Sequence, residues 1–256
     1  MSILNKFRID GQIALVSGAS RGIGLAIATA LAEAGADVVC AARNATDVST
    51  VAESIGASTG RRTRGFACDV SDPAQRRKLV EFVNTELGGL NIIVNNAGGS
   101  PPNDPRSMEA EQFSSVLSWN VVPAYDLSRL GAPYIINSGG GCVINISSAA
   151  ARYRQKRFSA YGSAKAALNQ MTRLLAQDYA PQIRFNAIEP GSVQTQALES
   201  FLSADLRKKL VSATPLGRLG NVDDIAAAAV FLAAPSSAWM TGKVLEIDGG
   251  LEAPAW

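Results

Sequence analysis

Seven short apolar runs alternate with stretches of helical spacing, and this alternation restricts the fold more than any single motif does. Ile13-Ala-Leu-Val16 ends at Ser17-Gly18 and is followed by a pattern from Gly22 to Ala34 that carries Ile23, Ala26, Ile27, Ala30 and Leu31 at helical intervals. Val38-Val39-Cys40-Ala41 comes next, after Gly35, which is well placed as a helix C-terminal glycine. Gly65-Phe-Ala-Cys68, Ile92-Ile-Val-Asn95, Cys142-Val-Ile-Asn-Ile146, Ile183 to Ile188 and Val244-Leu-Glu-Ile247 continue the series as strands. Between them the spacing predicts helices from Pro73 to about Leu87, capped by Ser71 or Asp72, from Glu111 to about Ile136, from Ser159 to Tyr179, and from Val222 to Leu232 after a cap at Asn221.

Strands that are apolar throughout are covered on both faces, and right-handed crossovers turn this order into an α/β fold. The expectation is a single doubly wound, Rossmann-type domain over residues 1–256, with a seven-stranded parallel sheet and helices on both faces. No composition break, internal repeat or low-complexity tract divides it. Residues 189–219, with Pro190, Gly191, Pro215 and Gly217, interrupt the alternation and read as an irregular insert, a candidate substrate lid.

Composition narrows the chemistry. The chain has no histidine, which removes Ser-His-Asp and Cys-His nucleophile systems and imidazole-ligated zinc. Any general acid must be another group. Cys40, Cys68 and Cys142 are odd in number and without a CxxC, so neither a disulfide framework nor a cysteine zinc site is expected, and no metal. Lys plus Arg exceeds Asp plus Glu by only two (24 against 22), too small a surplus for phosphate-driven nucleic-acid binding. The polar start, with Lys6, Arg8 and Asp10, is no secretory signal, and no run reaches the ~18 apolar residues of a membrane span. A soluble cytoplasmic protein is expected.

Glycines 18, 22 and 24 stand directly after the first strand and open the first helix. Such a turn lets backbone approach a pyrophosphate, and the helix N-terminus favours its charge. An ordinary tight turn would also use glycine, so position after strand one is what gives the motif weight. At the end of the second strand, Ala41-Ala42-Arg43-Asn44 offers no acid for the ribose hydroxyls, whereas Arg43 and Arg21 could clamp a 2′-phosphate. NADP(H) is therefore the expected cofactor, against the alternative of Arg43 as a solvated surface arginine.

With these residues the chain resembles the short-chain dehydrogenase/reductase family along nearly its whole length. The turn Gly18 to Gly24 is similar to the family's TGxxxGIG, with Ser17 in place of its usual threonine, and Asn95-Asn96-Ala97-Gly98 to its NNAG. Asn120, Ser148, Tyr161 and Lys165 fall in the order of its catalytic tetrad, and Tyr161-Gly-Ser-Ala-Lys165 is its YxxxK. Pro190-Gly191, followed by Val193 and Thr195, resembles its PG segment at the nicotinamide end. The resemblance implies cofactor contacts from Gly18, Ser20, Arg21, Gly22, Ile23, Gly24, Asn96, Ala97, Gly98, Tyr161, Lys165, Pro190, Gly191, Val193 and Thr195, with Asp69 and Val70 flanking the adenine.

Elementary chemistry agrees with the implied roles. Tyr161 and Lys165 at i and i+4 share a helix face, so the ammonium can sit beside the phenol and favour phenolate, lowering a pKa of about 10. Tyr161 is then the expected acid and base, Ser148 the group that hydrogen-bonds the substrate oxygen, and Lys165 the holder of the nicotinamide ribose. By the resemblance Asn120 keeps a water in a relay behind the lysine. Ser148 is preferred to Ser147 because it stands thirteen residues before Tyr161, the family's usual spacing. Arg152, Arg154, Lys156 and Arg157 could attract a substrate carboxylate or phosphate, or form a solvated loop or a subunit contact.

Within the family the chain looks most like 7α-hydroxysteroid dehydrogenases and almost as much like 3-oxoacyl-carrier-protein reductases. A hydroxysteroid or similar bulky ketone is the expected substrate, with acyl carrier protein as a possible partner. The alternative of another class is an NADP(H)-binding sensor without turnover. The resemblance also implies a homotetramer packed through Glu111 to Ile136, Ser159 to Tyr179, and Leu251 to Trp256.

Overall fold

Alternate residues of a strand point to opposite faces of its sheet, so a strand covered on both sides must be apolar at every position. The computed structural model, which describes residues 2–200 and 202–253, has seven strands, and the five central ones are buried along nearly their whole length. β1 spans Ile13–Ser17, β2 Asp37–Ala42, β3 Thr63–Ala67, β4 Ile92–Asn95, β5 Gly141–Ile146, β6 Ile183–Pro190 and β7 Lys243–Ile247. They form one parallel sheet in the order β3-β2-β1-β4-β5-β6-β7.

Between and after the strands run α1 (Gly22–Glu33), α2 (Ala45–Thr59), α3 (Pro73–Leu87), α4 (Ala110–Asn137), α5 (Ser159–Asp178), α6 (Gln196–Glu199), α7 (Ala204–Ala213) and α8 (Val222–Ala233). Ala14, Val16, Val38, Ile92 and Ile144 pack with Ile27 and Leu31 of α1, Val48 of α2, and Ile225 and Leu232 of α8. Leu15, Val39, Ile93, Val143 and Phe185 pack on the other side with Leu79 and Val83 of α3, Leu127 and Ile135 of α4, and Leu175 of α5. All three cysteines are buried in these layers without disulfides, and burial pushes their thiols up, Cys40 to about 12 and Cys68 and Cys142 to about 11. They behave as small core hydrophobes.

Helix ends follow the local sequence. Asp72, not Ser71, caps α3, accepting from Ala74 and Gln75 at 2.8 and 3.4 Å. Pro73, with no N–H to lose, occupies its first turn. Asn221 caps α8 in a reciprocal capping box with Asp224. Besides α2, where the sequence reading places no helix, two regions differ from expectation. β3 starts at Thr63 and stops before Cys68, because this edge strand is only partly covered and its apolar pattern is correspondingly weak. Residues 189–219 are also more regular than expected: β6 continues to Pro190, and α6 and α7 occupy the insert. Of those two helices only Leu210 is buried, so they carry almost no amphipathic signal.

The sheet order reverses between β1 and β4. Chain leaving these two strands diverges to opposite faces, and a crevice opens at their carboxyl ends.

Candidate active site

Ser17 laces the two lips of that crevice together. Its hydroxyl donates to Val94 O at 3.3 Å and accepts from the N–H groups of Asn96 and Ala97 at 3.0 and 3.2 Å. Asn96 returns the connection, its side-chain amide donating to Ser17 O and Gly18 O at 3.0 and 3.1 Å. Glycine is required here for two separate reasons. Gly18 and Gly22 take φ of 66° and 57°, in the left-handed region. Gly24 is required by space, since a Cβ there would stand 2.2 Å from Gly18 O.

No side chain caps α1 where it leaves this turn, and Arg21, at the N-cap, is extended with its side chain exposed. Bare backbone beside an uncapped helix N-terminus fits an anionic diphosphate. Ser20 and Ile23 are half-buried along the same turn.

Arg43 lies exposed just beyond β2, and no carboxylate accompanies it in residues 41–44. Asp69 is close enough to feel its charge: hydrogen bonds from Ser71 hold the Asp69 carboxyl below the usual range, and Arg43 adds to the effect. Val70 turns its side chain into the core and its carbonyl to Arg76 Nη1 at 2.7 Å, which leaves its N–H for any ligand.

Ser148 follows β5 and opens a 3₁₀ turn at Ala149–Ala151, its hydroxyl accepting from Ala150 N–H at 3.2 Å. Ser147 is buried and donates to Lys165 O at 3.3 Å, so its hydroxyl is tied to α5 backbone and faces away from the cleft. Ser148 lies close enough to the Tyr161 phenol to lower its pKa, and Phe158 meets its ring edge-on at 6.1 Å. Lys165 is buried, with Nζ 5.7 Å from the Tyr161 ring centroid and donating to Ile146 O at 2.9 Å.

Asn120, also buried, accepts from Gly99 N–H at 2.8 Å and donates to Val116 O and Gly99 O at 2.9 and 3.2 Å. Gly98 threads between them: a Cβ there would stand 2.8 Å from Asn120 Oδ1 and 3.3 Å from Lys165 Nζ. Four side chains from α4, β5 and α5 thus meet at one end of the sheet.

The electrostatics differ from the sequence expectation. Burial pushes the Tyr161 phenol up, and nearby Ser148 only partly opposes it. Lys165 does not reverse this, because it is desolvated itself and aimed at Ile146 O, its own pKa lowered by burial to about 8.

Gly191 continues from Pro190, donates to Ile247 O at 3.0 Å and lies against Asp248. Val193 bridges to Gly220 and buries its side chain in the core. Thr195 caps α6, and its methyl is 3.6 Å from where a Gly22 Cβ would be, so this segment closes on the glycine turn.

The basic run does not act as one group. Arg152 is engaged by Glu189, Glu246 and Asp248, whereas Arg154, Lys156 and Arg157 are exposed. Those acids and the bracing by Ser17 were not singled out in the sequence. One signal was available for Glu189: a lone carboxylate at the end of an apolar strand. Among the described residues no three His, Cys, Asp or Glu side chains could share a metal, and no helix is long and apolar enough to cross a membrane.

Comparison with known proteins agrees with this architecture. A family model described as enoyl-(acyl carrier protein) reductase matches residues 18–252. An uncharacterized oxidoreductase of Mycobacterium tuberculosis is 46% identical over 254 residues, covering 98% of this chain and 96% of the relative. The 7α-hydroxysteroid dehydrogenase of Escherichia coli is 36% identical over 247 residues, 96% of each. A 3-oxoacyl-[acyl-carrier-protein] reductase of Vibrio harveyi is 33% identical over 244 residues, 95% of this chain and 98% of the relative. A solved 7α-hydroxysteroid dehydrogenase in complex with NADH and 7-oxo glycochenodeoxycholic acid superposes with a TM-score of 0.94 at 36% identity, covering 98% of both chains. Sequence and fold agree over almost the entire length, and the chain belongs to the short-chain dehydrogenase/reductase family of oxidoreductases acting on CH–OH groups.

Proposed function

We propose that this protein interconverts a secondary alcohol and a ketone with NADP(H), and that its substrate is a hydroxysteroid or a similarly bulky ketone. The observation that carries the reading is the nearness of Ser148 to the Tyr161 phenol, with Lys165 and Asn120 buried behind them. A bound nicotinamide supplies the hydride chemistry. The Gly18–Gly24 turn holds the diphosphate, Asn96, Ala97 and Gly98 the near ribose, and Pro190, Gly191, Val193 and Thr195 the nicotinamide end.

Ser148 donates a hydrogen bond to the substrate oxygen and stabilises charge developing there. Burial keeps the Tyr161 phenol protonated at neutral pH, so it starts reduction as the acid and gives its proton to the same oxygen. Lys165, with a pKa of about 8, exchanges a proton near neutrality and stands where the proton lost by Tyr161 can be replaced. Asn120 holds Gly98 and Gly99 against Lys165 and keeps a second Oδ1 lone pair for a relay water.

Arg43 and Arg21 support NADP(H): both are exposed at the crevice rim, with no acid in residues 41–44 to repel a 2′-phosphate. Fluorescence titration tests this directly. NADPH is expected to bind more tightly than NADH, and Arg43→Asp to weaken it about 10- to 100-fold, the worth of a charged hydrogen bond. Tighter NADH binding by the unaltered protein refutes the assignment. Tyr161→Phe is expected to abolish turnover while leaving cofactor binding intact, whereas a protein that turns over no ketone but binds cofactor is the sensor alternative.

Residues 189–219 serve as the lid in this reading, with Thr195 against the glycine turn and Leu216 exposed. The steroid assignment is supported by the relatives above, and exposed Arg154, Lys156 and Arg157 keep 3-oxoacyl-carrier-protein reduction as a second reading. Neutralising Arg154 and Arg157 is expected to weaken binding of acyl carrier protein in a salt-sensitive way, and unchanged affinity at low salt would remove this reading. Exposed Val122, Tyr125 and Ile136 of α4 and Leu174 of α5 support a homotetramer packed on these helices. Of the third expected contact, Leu251 is buried and residues 254–256 lie outside the described residues. Three unpaired thiols suit a reducing cytoplasm.

A further inference from the structure

Behind the serine loop lies a second group of charged side chains that the proposed chemistry does not use. Arg152 closes the 3₁₀ turn that begins at Ser148. Its Nε donates to Glu189 Oε1 at 2.8 Å, while Nη2 meets Asp248 Oδ2 and approaches Glu246 Oε2 at 3.3 Å. Glu189 is the residue before Pro190 and is buried, and its other oxygen accepts from Asn169 of α5 at 2.7 Å. Asp248 opens the turn after β7, and a Cβ on Gly191 would stand 2.7 Å from its Cβ. Tyr153, the next residue after Arg152, donates to Leu251 O beyond the same turn.

Three carboxylates therefore converge on one guanidinium, and two of them, with side chains 3% and 7% exposed, are nearly out of water. Stability alone does not account for such a group, since well-packed apolar residues commonly do as well as a buried ion pair. Its location is more telling. Arg152, Glu189 and Asp248 come respectively from the segment that carries Ser148, the segment that carries Pro190 and Gly191, and the turn whose Gly249 O accepts from Leu216 of the insert at 3.1 Å. A guanidinium can hold two carboxylates from different directions with its planar fork, which an ammonium cannot do as well.

We infer that Arg152 is a positioning residue: by bridging Glu189 and Asp248 it sets the Ser148 loop against the Pro190–Gly191 segment, fixing the distance between the proton-transfer side of the cleft and its nicotinamide side. The kinetic consequence rests on the roles proposed above for Ser148 and Tyr161, whereas the geometric consequence does not. Loss of the guanidinium unties the Ser148 loop from both acids and leaves Glu189 and Asp248 facing each other without a counter-charge, so that their repulsion also pushes the Pro190–Gly191 segment from the turn after β7. Removing one of those charges as well relieves it.

The test compares R152Q with R152Q/E189Q in two measurements. Amide hydrogen exchange is followed over residues 147–153 and 191–193 without substrate, and kcat and KM are measured with a ketone that the wild type reduces. R152Q is expected to speed exchange in both segments and to lower kcat about 100-fold, the cost of displacing a reacting group by about 1 Å, with little change in KM. The double variant recovers most of both losses. Wild-type exchange in R152Q overturns the inference, as does a double variant no better than the single one. A loss confined to KM for anionic substrates also overturns it, making Arg152 a substrate contact. The exchange measurement needs no turnover, so it stands even if the oxidoreductase reading fails. If R152Q does not fold, R152K keeps the charge without the fork, and wild-type exchange in that variant is equally fatal.

Discussion

Lys165→Met is expected to make the cofactor-free protein more stable at neutral pH while it eliminates turnover. Lys165 is 3% exposed, and burial lowers its pKa from 10.5 to about 8. At about 1.4 kcal/mol for each pH unit, that difference costs the folded state about 3 kcal/mol wherever the lysine is charged in both states. Methionine keeps the apolar stem without the ammonium, but it leaves Ile146 O without its donor, which costs about 1–3 kcal/mol. The net gain at pH 7 is about 1 kcal/mol. Its pH dependence is the sharper quantity. Between about 8 and 10.5 the unfolded wild type binds more protons than the folded one, so wild-type stability rises with pH there. The variant lacks that slope, and the difference between the two proteins changes by about 3 kcal/mol from pH 7 to pH 10.5. At the upper limit the wild type, with its hydrogen bond intact, is the more stable. Urea denaturation of both proteins at several pH values measures this, since other titrating groups are common to both. A difference that stays constant across the range would refute the claim that Lys165 is held at a desolvation cost.

Two further substitutions follow from the same geometry. Ser148→Ala is expected to lower kcat about 10²- to 10³-fold with little change in stability, as for a lost oxyanion donor, and Ser147→Ala to cost about 1 kcal/mol in denaturation with turnover nearly intact. Equal kinetic losses would contradict the orientation of the two hydroxyls. Gly24→Ala places a Cβ 2.2 Å from Gly18 O, which backbone must move to accommodate. It is expected to destabilise the fold by about 1–3 kcal/mol and to weaken cofactor binding, as read by melting and fluorescence titration. Unchanged values for both would show that the turn is looser than its contacts imply.

The central strands are legible in the sequence because both faces are buried: β4 is apolar from Ile92 to Val94 and begins and ends where expected. The edge strand β3 and the helices of the insert are poorly legible for the converse reason, since half or more of each meets water. In the site, the order Asn120, Ser148, Tyr161, Lys165 and the glycine turn are visible as residue types at fixed spacings. What those residues experience is not visible. An i, i+4 relation places Lys165 beside Tyr161 but does not show that both are desolvated, and burial reverses the expected direction of the phenol shift. Arg152 reads as one of four basic residues in a loop until Glu189 and Asp248, 37 and 96 positions away, are brought to it.

By itself the sequence determined the layered α/β architecture, the strand-turn-helix start, the absence of imidazole chemistry and the set of residues from which an acid and a phosphate cradle could be built. These are local properties, carried by periodicity, backbone freedom and composition. Only the tertiary structure decided which serine faces the cleft, how far Tyr161 and Lys165 are removed from water, and which acids neutralise Arg152. Solvation and charge pairing depend on neighbours that are distant in sequence, and only packing of the sheet and its helices brings them within reach.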